Sequence, residues 1–242
     1  MIFFATMFRR GGKLPSWSPK SLPNLKAWYT AAPLYCFQDA AATIPCTDGT
    51  AVYTWLDRSG LGFHQVQATS GSRPTMRFIG GSWLVRFDGI SSFMQTTWTL
   101  NGTIGSYAVA NMVAYTGSGP TIFDGKTQNQ MRLYNNGSSQ YGLYAGGGAG
   151  AVIAPSPILN TTYTFRAIFI AGAGNSQLSY NGGAVNTSGT LGGINTTGLS
   201  LGGQTGGSLG QVDYREHLVI TSAPTTPNDN LTLQYLRRWG HY

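Results

Sequence analysis

The sequence predicts an all-β fold, a jelly-roll sandwich of two antiparallel sheets, on three observations. Short stretches of alternating apolar and polar residues recur along the chain and end at glycine-containing turns. Glycine accounts for 34 of the 242 residues, and only 10% of the residues are charged, whereas 41% are hydrophobic. This hydrophobic content excludes a disordered chain, and a length of 242 residues is compatible with a single β-sandwich domain.

The predicted strands in the first half of the chain end at turns that the sequence marks clearly. Residues 52–57 alternate in polarity along a strand, and the Ser-Gly pair at 59–60 ends it. Residues 83–87 repeat the pattern, with Trp83, Val85 and Phe87 on one face, before the Asp-Gly pair at 88–89. Because aspartate and glycine both tolerate the backbone angles of a tight reversal, this pair predicts a turn.

Three further strands are predicted in the second half of the chain. Residues 176–183 form a strand that runs into an Asn-Gly turn, and residues 199–203 form a short strand closed by glycines. Residues 210–220 form a long strand. Strict alternation places five of its side chains on one side, namely Val212, Tyr214, Glu216, Leu218 and Ile220.

A short C-terminal helix is predicted after the last strand. Thr226 is the expected N-cap, and Pro227 suits the first helical position because no backbone N–H is needed there. We expect the helix to pack on the sandwich through an apolar stripe that consists of Leu231, Tyr235, Leu236 and Trp239.

The order of these elements resembles the concanavalin A-like lectin/glucanase superfamily, in its laminin-G-like branch, over roughly residues 22–242. The matching motifs are Leu-Lys-Ala-Trp at 25–28, Trp-x-Asp-x-Ser-Gly at 55–60, Phe-Asp-Gly at 87–89, Tyr-Asn-Gly at 180–182, and the closing strand and helix. The resemblance implies a jelly-roll sandwich of two antiparallel sheets. Because members of this superfamily bind sugars, bind proteins, cleave glycans or build particles, the fold by itself does not define the function.

An extended N-terminal arm, residues 1–21, precedes the sandwich that is predicted for residues 22–242. The arm combines aromatic and basic side chains with glycines and prolines that disfavour regular structure. Because an isolated arm of this composition is stabilised only by packing on another surface, we expect it to dock onto a neighbouring subunit. The residues expected to bind this partner are Phe3, Phe4, Phe8, Arg9, Arg10, Lys13 and Trp17.

The net charge of +7 is concentrated in and near the arm. Five of the fifteen basic residues precede the first acidic residue, Asp39, so the sandwich itself is nearly balanced. We therefore do not expect nucleic acid to be a partner. The apolar run at residues 1–8 is too short to span a membrane, and its basic residues follow it, so neither a secretory signal nor a membrane anchor is predicted.

Neither a metal ion nor a cofactor is expected. Cys36 and Cys46 lie ten residues apart, and the sequence leaves open whether they are bridged. Asp57 and Asp88 are expected to cap turns rather than to bind calcium, because no stretch brings two acidic residues to ligand spacing. The histidines have no paired ligand spacing either; they are His64, His217 and His241.

Enzymatic activity is not expected from the sequence. Glycan hydrolysis usually needs two carboxylates that face the scissile bond, and the chain has one glutamate, Glu216, which we expect to pair with Arg215 or a loop amide. A Gly-x-Ser-x-Gly match at 206–210 precedes a strand instead of a helix. The stretch 124–127 lacks the first glycine of a phosphate loop at the required spacing.

The expected function is structural. The stand-alone sandwich, its low surface charge and its arm indicate a component of a viral particle, namely a phage capsid decoration or cement protein or a minor virion protein. The expected partners are the capsid protein and copies of this chain, and the expected location is the virion.

The alternative function is carbohydrate binding by a lectin-like module, exposed to a receptor on a virion or tail. Sugar binding uses aromatic platforms and amides on an open sheet face or loop. The residues expected to form such a site are Trp83, Trp98, Tyr134, Asn135, Tyr141 and Tyr144.

Overall fold

The computed structural model describes residues 17–114, 119–136, 140–153, 158–203 and 208–239. In these ranges the chain forms two large antiparallel sheets, a two-stranded ribbon and one short α-helix near its C-terminal end. The all-β sandwich predicted from the sequence is confirmed. Most of the predicted arm lies outside the described residues.

The strands of the first half are β1 (Leu25–Thr30), β2 (Cys36–Phe37), β3 (Thr54–Trp55), β4 (Gln65–Val66), β5 (Thr75–Ile79), β6 (Ser82–Arg86), β7 (Met94–Asn101), β8 (Ile104–Ala114) and β9 (Thr121–Gly125). Those of the second half are β10 (Arg132–Asn135), β11 (Tyr141–Ala145), β12 (Gly148–Ile153), β13 (Thr162–Phe169), β14 (Gly172–Ala173), β15 (Gln177–Tyr180), β16 (Thr190–Leu191), β17 (Asn195–Leu201) and β18 (Gln211–Ile220). The helix α1 spans Thr226–Leu236, and short 3-10 turns span Pro19–Ser21, Ser70–Ser72 and Arg237–Trp239.

In both large sheets, neighbouring strands are often far apart in the sequence, because the chain crosses repeatedly from one sheet to the other. The seven-stranded sheet has the order β15-β13-β8-β18-β6-β5, and β1 also pairs with β18. The nine-stranded sheet has the order β12-β11-β10-β9-β17-β7-β4-β3-β2. The ribbon consists of β14 and β16. The long strand β18 therefore lies at the centre of the seven-stranded sheet.

The main core lies between the two large sheets. Phe123 of the nine-stranded sheet meets Phe169 of the seven-stranded sheet edge to face, with ring centroids 6.2 Å apart. Val85 and Phe87 are fully buried, and Trp83 packs against the same core, as the alternation of residues 83–87 predicts.

A second, smaller core lies on the outer face of the seven-stranded sheet, where α1 covers it. Tyr107 and Val109 of β8 and Leu218 of β18 point outward and pack with Leu236 of the helix. The predicted packing of the helix on the sandwich is confirmed. Leu231, which the predicted apolar stripe included, is 37% exposed instead.

The residues that begin the helix differ by one from the prediction. Thr225, not Thr226, occupies the N-cap position, and its side chain makes no capping hydrogen bond. Pro227 still lies in the first turn, where its missing N–H leaves no hydrogen bond unmade.

A β-bulge in β18 overturns the predicted strict alternation of this strand. Tyr214 pairs with Ala110 of β8, but Glu216 pairs with the adjacent Val109, so Arg215 is an extra residue. One extra residue exchanges the two faces of everything that follows it. Val212 and Tyr214 accordingly belong to the main core, whereas Leu218 and Ile220 belong to the second core under the helix.

Turn chemistry was predicted well, and strand length less well. Asn181 and Gly182 both have positive φ, at 52° and 67°, as a tight Asn-Gly hairpin turn requires. The strand predicted over 52–57 is only two residues long, Thr54–Trp55.

Within the described ranges, no helix is long and apolar enough to cross a membrane.

Candidate functional site

The outer face of the seven-stranded sheet has a covered half and an open half. The helix covers one half, and the open half forms a groove of about 390 Å³, which we call the polar groove. This volume lies within the range of about 300–1,000 Å³ that is usual for small-ligand sites. The residues that line the polar groove include Leu84, Arg86, Asn111, Thr162, Asp213 and Arg215.

Four neighbouring strands bring the polar side chains of the groove into one row. Asn111 of β8 is the direct cross-strand partner of both Thr162 of β13 and Asp213 of β18. Asp213 in turn pairs with Arg86 of β6. Because directly opposed residues of antiparallel strands project on the same face, the row is a product of the sheet register.

Arg86 and Asp213 form a two-pronged ion pair in the middle of this row. Arg86 Nε donates to Asp213 Oδ1 at 2.6 Å, and a terminal nitrogen donates to Oδ2 at 2.7 Å. The hydrogen bond to Asp213 raises the pKa of the Arg86 guanidinium. The carboxylate side chain is 3% exposed, and the pair fixes both groups in position.

Arg215, the extra residue of the bulge, also points into the polar groove. Its Nε donates to Ser82 Oγ at 3.3 Å, and a terminal nitrogen donates to Thr162 Oγ1 at 2.5 Å. Burial lowers the pKa of this guanidinium, although Asp213 acts against the shift. Among the described residues, no carboxylate forms an ion pair with Arg215.

Asn111 contributes a buried carboxamide whose hydrogen-bonding capacity is not filled. It continues the outward-facing series of Tyr107 and Val109 on β8, and it is 8% exposed. Its Oδ1 is buried and has no hydrogen-bond partner among the described residues. Buried polar atoms in proteins nearly always have a partner, so Asn111 is an exception among the residues that line the polar groove.

The carboxylates in the loops are all engaged by backbone N–H groups. Asp57 accepts from Trp28 and Ser59, and Asp88 accepts from the three residues that follow Gly89, so both cap turns as predicted. Burial alone raises the pKa of Asp88, but the donors of residues 90–92 outweigh it and hold the pKa well below its usual range. Asp39 and Asp48, which also lie in loops, and Asp124, near the end of β9, accept backbone N–H bonds as well.

The remaining carboxylates belong to the seven-stranded sheet and its helix. Besides Asp213, these are Asp229, which accepts from Tyr107 and Arg166, and Glu216. Each of the eight acidic residues of the chain is thus engaged by structural partners.

Glu216 does not pair with Arg215, contrary to the prediction from the sequence. The bulge turns its fully buried carboxylate toward the outer face of the sheet, where it accepts hydrogen bonds from two side chains of β1 and three of the C-terminal segment. Arg238 supplies the ion pair at 2.6 Å. The donors and their distances are Trp28 Nε1 at 2.6 Å, Thr30 Oγ1 at 3.1 Å, Tyr235 OH at 3.0 Å, Arg238 at 2.6 Å and Trp239 Nε1 at 2.6 Å.

A serine and a histidine form a hydrogen-bonded pair inside the main core. Ser106 Oγ lies 2.8 Å from His217 Nε2, and both residues are 0% exposed. Burial lowers the pKa of His217 to about 3, so the imidazole is neutral. Both residues are inaccessible to a ligand, because the imidazole packs against Phe123 and Tyr214 in the core. The second ring nitrogen, His217 Nδ1, is buried and has no hydrogen-bond partner among the described residues.

The residues that the sequence singled out for glycan binding are not brought together as a set. Trp98, Tyr141 and Asn135 are buried, and Trp83 packs against the main core. The other two lie on the outer face of the nine-stranded sheet, because Tyr144 pairs with Arg132 and the guanidinium of Arg132 lies 4.6 Å from the ring of Tyr134.

Of the arm residues predicted to bind a partner, the structure describes one. Trp17 packs edge to face on Tyr235 of this chain's own helix, with centroids 5.6 Å apart. The others lie outside the described residues and comprise Phe3, Phe4, Phe8, Arg9, Arg10 and Lys13. Their binding role stays a prediction.

The two cysteines are free thiols, which answers the question that the sequence left open. Cys36 and Cys46 are both buried, and the backbone N–H of Cys46 donates to the carbonyl of Cys36 at 2.8 Å. Burial raises the pKa of Cys46 to about 11, so its thiol is protonated near neutral pH. Among the described residues, no three His, Cys, Asp or Glu side chains cluster as metal ligands.

No protein-family model matches the chain, and no curated protein matches it by sequence. Solved structures do share its fold. A sialidase from Trypanosoma rangeli superposes with a TM-score of 0.59 at 9% identity over 90% of this chain and 34% of the sialidase. An arabinofuranosidase complexed with arabinofuranosyl-α-1,2-xylobiose gives a TM-score of 0.58 at 14% identity over 86% of this chain and 61% of the enzyme. The chain therefore spans about a third of the first and about three fifths of the second.

These neighbours correct the function predicted from the sequence. They are glycosidases, so the fold is one found among carbohydrate-active proteins, and the expectation of a phage structural protein is wrong. At 9–14% identity the likeness shows the fold alone.

The residues that form the polar groove were missed by sequence reasoning. The available signal was a run of polar residues at outward positions of β18 and β6, such as Asp213, Arg215 and Arg86. A solvated sheet face has the same pattern, and only the pairing of four strands distinguishes the two.

Proposed function

We propose that this protein binds carbohydrate and that the polar groove holds the sugar. The observation that carries the proposal is the row of planar polar groups, from Asn111, Asp213 and Arg86, that lines one open groove. Sugar hydroxyl groups both donate and accept hydrogen bonds. Planar amide, guanidinium and carboxylate groups, which the row of Asn111, Asp213 and Arg86 supplies, match such hydroxyls in fixed directions.

The relatives in fold support a carbohydrate ligand without indicating which one. The Trypanosoma rangeli sialidase has been solved in complex with sialic acid, and the arabinofuranosidase in complex with an arabinofuranosyl xylobiose. We also propose membership of the concanavalin A-like superfamily, which the two facing antiparallel sheets and the closing strand and helix support.

We propose binding rather than hydrolysis. Hydrolysis of a glycosidic bond usually needs a carboxylic acid and a second carboxylate on opposite sides of the bond. Asp213 is the carboxylate of the polar groove, and both of its oxygens are engaged by Arg86. The engagement of the other seven acidic residues by structural partners supports the same conclusion.

The proposal is tested by calorimetric titration with neutral gluco-, galacto-, manno-, xylo- and arabino-oligosaccharides and with oligosaccharides that contain uronic acids. We expect saturable binding of at least one of them by the wild-type protein. Asn111→Ala should weaken that binding about tenfold, since one or two hydrogen bonds of about 1 kcal/mol each are lost. Asn195→Ala is the matched control, because Asn195 is an exposed residue at the start of β17 on the other sheet and should leave the affinity unchanged.

Two results would overturn the proposal. One is the absence of binding to every sugar of the panel, and the other is an Asn111→Ala variant that is folded and binds as tightly as the wild type. Release of reducing ends from the bound oligosaccharide would leave recognition intact but refute the assignment as a non-hydrolytic binding protein.

A further inference from the structure

We infer that the sugar recognised in the polar groove carries a carboxylate, as a uronic acid residue does, and that Arg215 binds this carboxylate. The inference rests on the proposed function and names the class of its ligand. It follows from the charges of the groove, the free hydrogen-bonding edge of Arg215 and the way in which the bulge holds that residue.

The charged side chains of the groove do not cancel. Arg86 and Asp213 neutralise one another in a two-pronged pair, and both carboxylate oxygens are used. Arg215 is left over, so two positive charges and one negative charge give the groove a net charge of +1. A cation held in a partly buried groove favours an anionic ligand group, because the effective dielectric constant there is lower than in water and the attraction between the two charges is stronger.

The guanidinium of Arg215 has hydrogen-bond donors to spare. An arginine has five N–H groups, and two of them are used here, one on Ser82 Oγ and one on Thr162 Oγ1. These two bonds come from Nε and from one terminal nitrogen. The other terminal nitrogen makes no hydrogen bond to any described residue, so an edge of the fork remains available to a ligand.

The two hydroxyl groups also hold the fork in position before a ligand arrives. Ser82 lies on β6 and Thr162 on β13, on opposite sides of the strand that carries Arg215. An arginine anchored from both sides loses less conformational freedom on binding than a free surface arginine, and its planar fork matches a carboxylate in a two-pronged geometry. Neutral hydroxyl groups, by contrast, do not compensate its charge.

The test compares matched pairs of ligands. Each pair consists of a neutral gluco-, galacto- or manno-oligosaccharide and the same oligosaccharide whose C6 alcohol has been oxidised to a carboxylate. We expect the wild-type protein to bind at least one carboxylated member ten or more times as tightly as its neutral counterpart. Raising the salt concentration should reduce this preference, because it screens the charge of Arg215.

Variants assign the preference to Arg215. Arg215→Gln removes the charge and should abolish the preference, so that the carboxylated and neutral members of a pair bind with similar affinity. Arg215→Lys keeps the charge but lacks the planar fork, so this variant should retain only part of the preference for the carboxylated ligand. Lys20→Gln removes the same charge from an exposed residue of the 3-10 turn Pro19–Ser21 and should change neither affinity.

The possible failures are distinguishable. If the wild type binds neutral and carboxylated members equally, the inference about the carboxylate is wrong and the proposed function stands. If it binds neither member of any pair, the proposed function fails with it. A preference that persists in folded Arg215→Gln overturns the assignment to Arg215.

Discussion

Glu216→Gln is expected to loosen the C-terminal helix from the sandwich, because Glu216 joins the two. The carboxylate is fully buried, and donors from β1, α1 and the final 3-10 turn converge on it. Glutamine preserves the size of the side chain. It places an NH₂ group where a carboxylate oxygen accepted hydrogen bonds, so at least two donors face another donor.

The magnitude follows from the contacts. Oε2 accepts from Arg238 and from Trp239 Nε1, each at 2.6 Å. Hydrogen bonds to a charged group contribute about 1.5–3 kcal/mol each, but the contribution of Arg238 is smaller because its side chain is 40% exposed and screened by water. We therefore expect a loss of about 3 kcal/mol, at the lower end of the range of about 3–5 kcal/mol for breaking a buried ion pair.

The assay is urea denaturation monitored by tryptophan fluorescence, and near-ultraviolet circular dichroism spectra are recorded in parallel. Trp28 and Trp239 both donate to Glu216, so detachment of the helix should also change the near-ultraviolet spectrum. Asp48→Asn is the matched control, because Asp48 forms an exposed ion pair with Arg77 and should have a much smaller effect. If Glu216→Gln destabilises no more than this control, the reasoning is refuted.

Two further substitutions probe the main core. Between pH 6.5 and about 3 the unfolded state binds a proton at His217, whereas the folded state, in which the pKa is lowered to about 3, does not. The free energy of unfolding therefore decreases as the pH is lowered through this range, by up to about 1.4 kcal/mol per pH unit. Burial raises the pKa of Asp124 to about 6, and this carboxyl group affects stability in the opposite direction. The contribution of the histidine is therefore obtained by comparing how the free energy of unfolding depends on pH in the wild type and in His217→Gln. Parallel pH profiles of the two proteins would contradict the prediction. Phe123→Ala should cost about 3–5 kcal/mol in urea denaturation, because the ring is fully buried against Phe169; a cost under about 1 kcal/mol would mean that this core is not packed as described.

Local sequence chemistry determined much of the fold. The alternation of residues 83–87 correctly indicated which side chains share one face, and the Asn-Gly pair at 181–182 marked a tight turn. Both signals act over a few residues, since side-chain alternation and allowed backbone angles depend only on immediate neighbours. The same holds for the turns capped by Asp57 and Asp88.

Tertiary structure alone decided the candidate site. The alternation rule assigned Glu216 to the same side as Tyr214, but the pairing of β18 with β8 inserts Arg215 as an extra residue and exchanges the two faces beyond it. The polar groove likewise joins residues 86, 111, 162 and 213, which are far apart in the chain and meet only through the register of four strands. The bulge and the alignment of these strands are properties of the pairing between segments far apart in the chain, and the alternation within a single strand does not specify them.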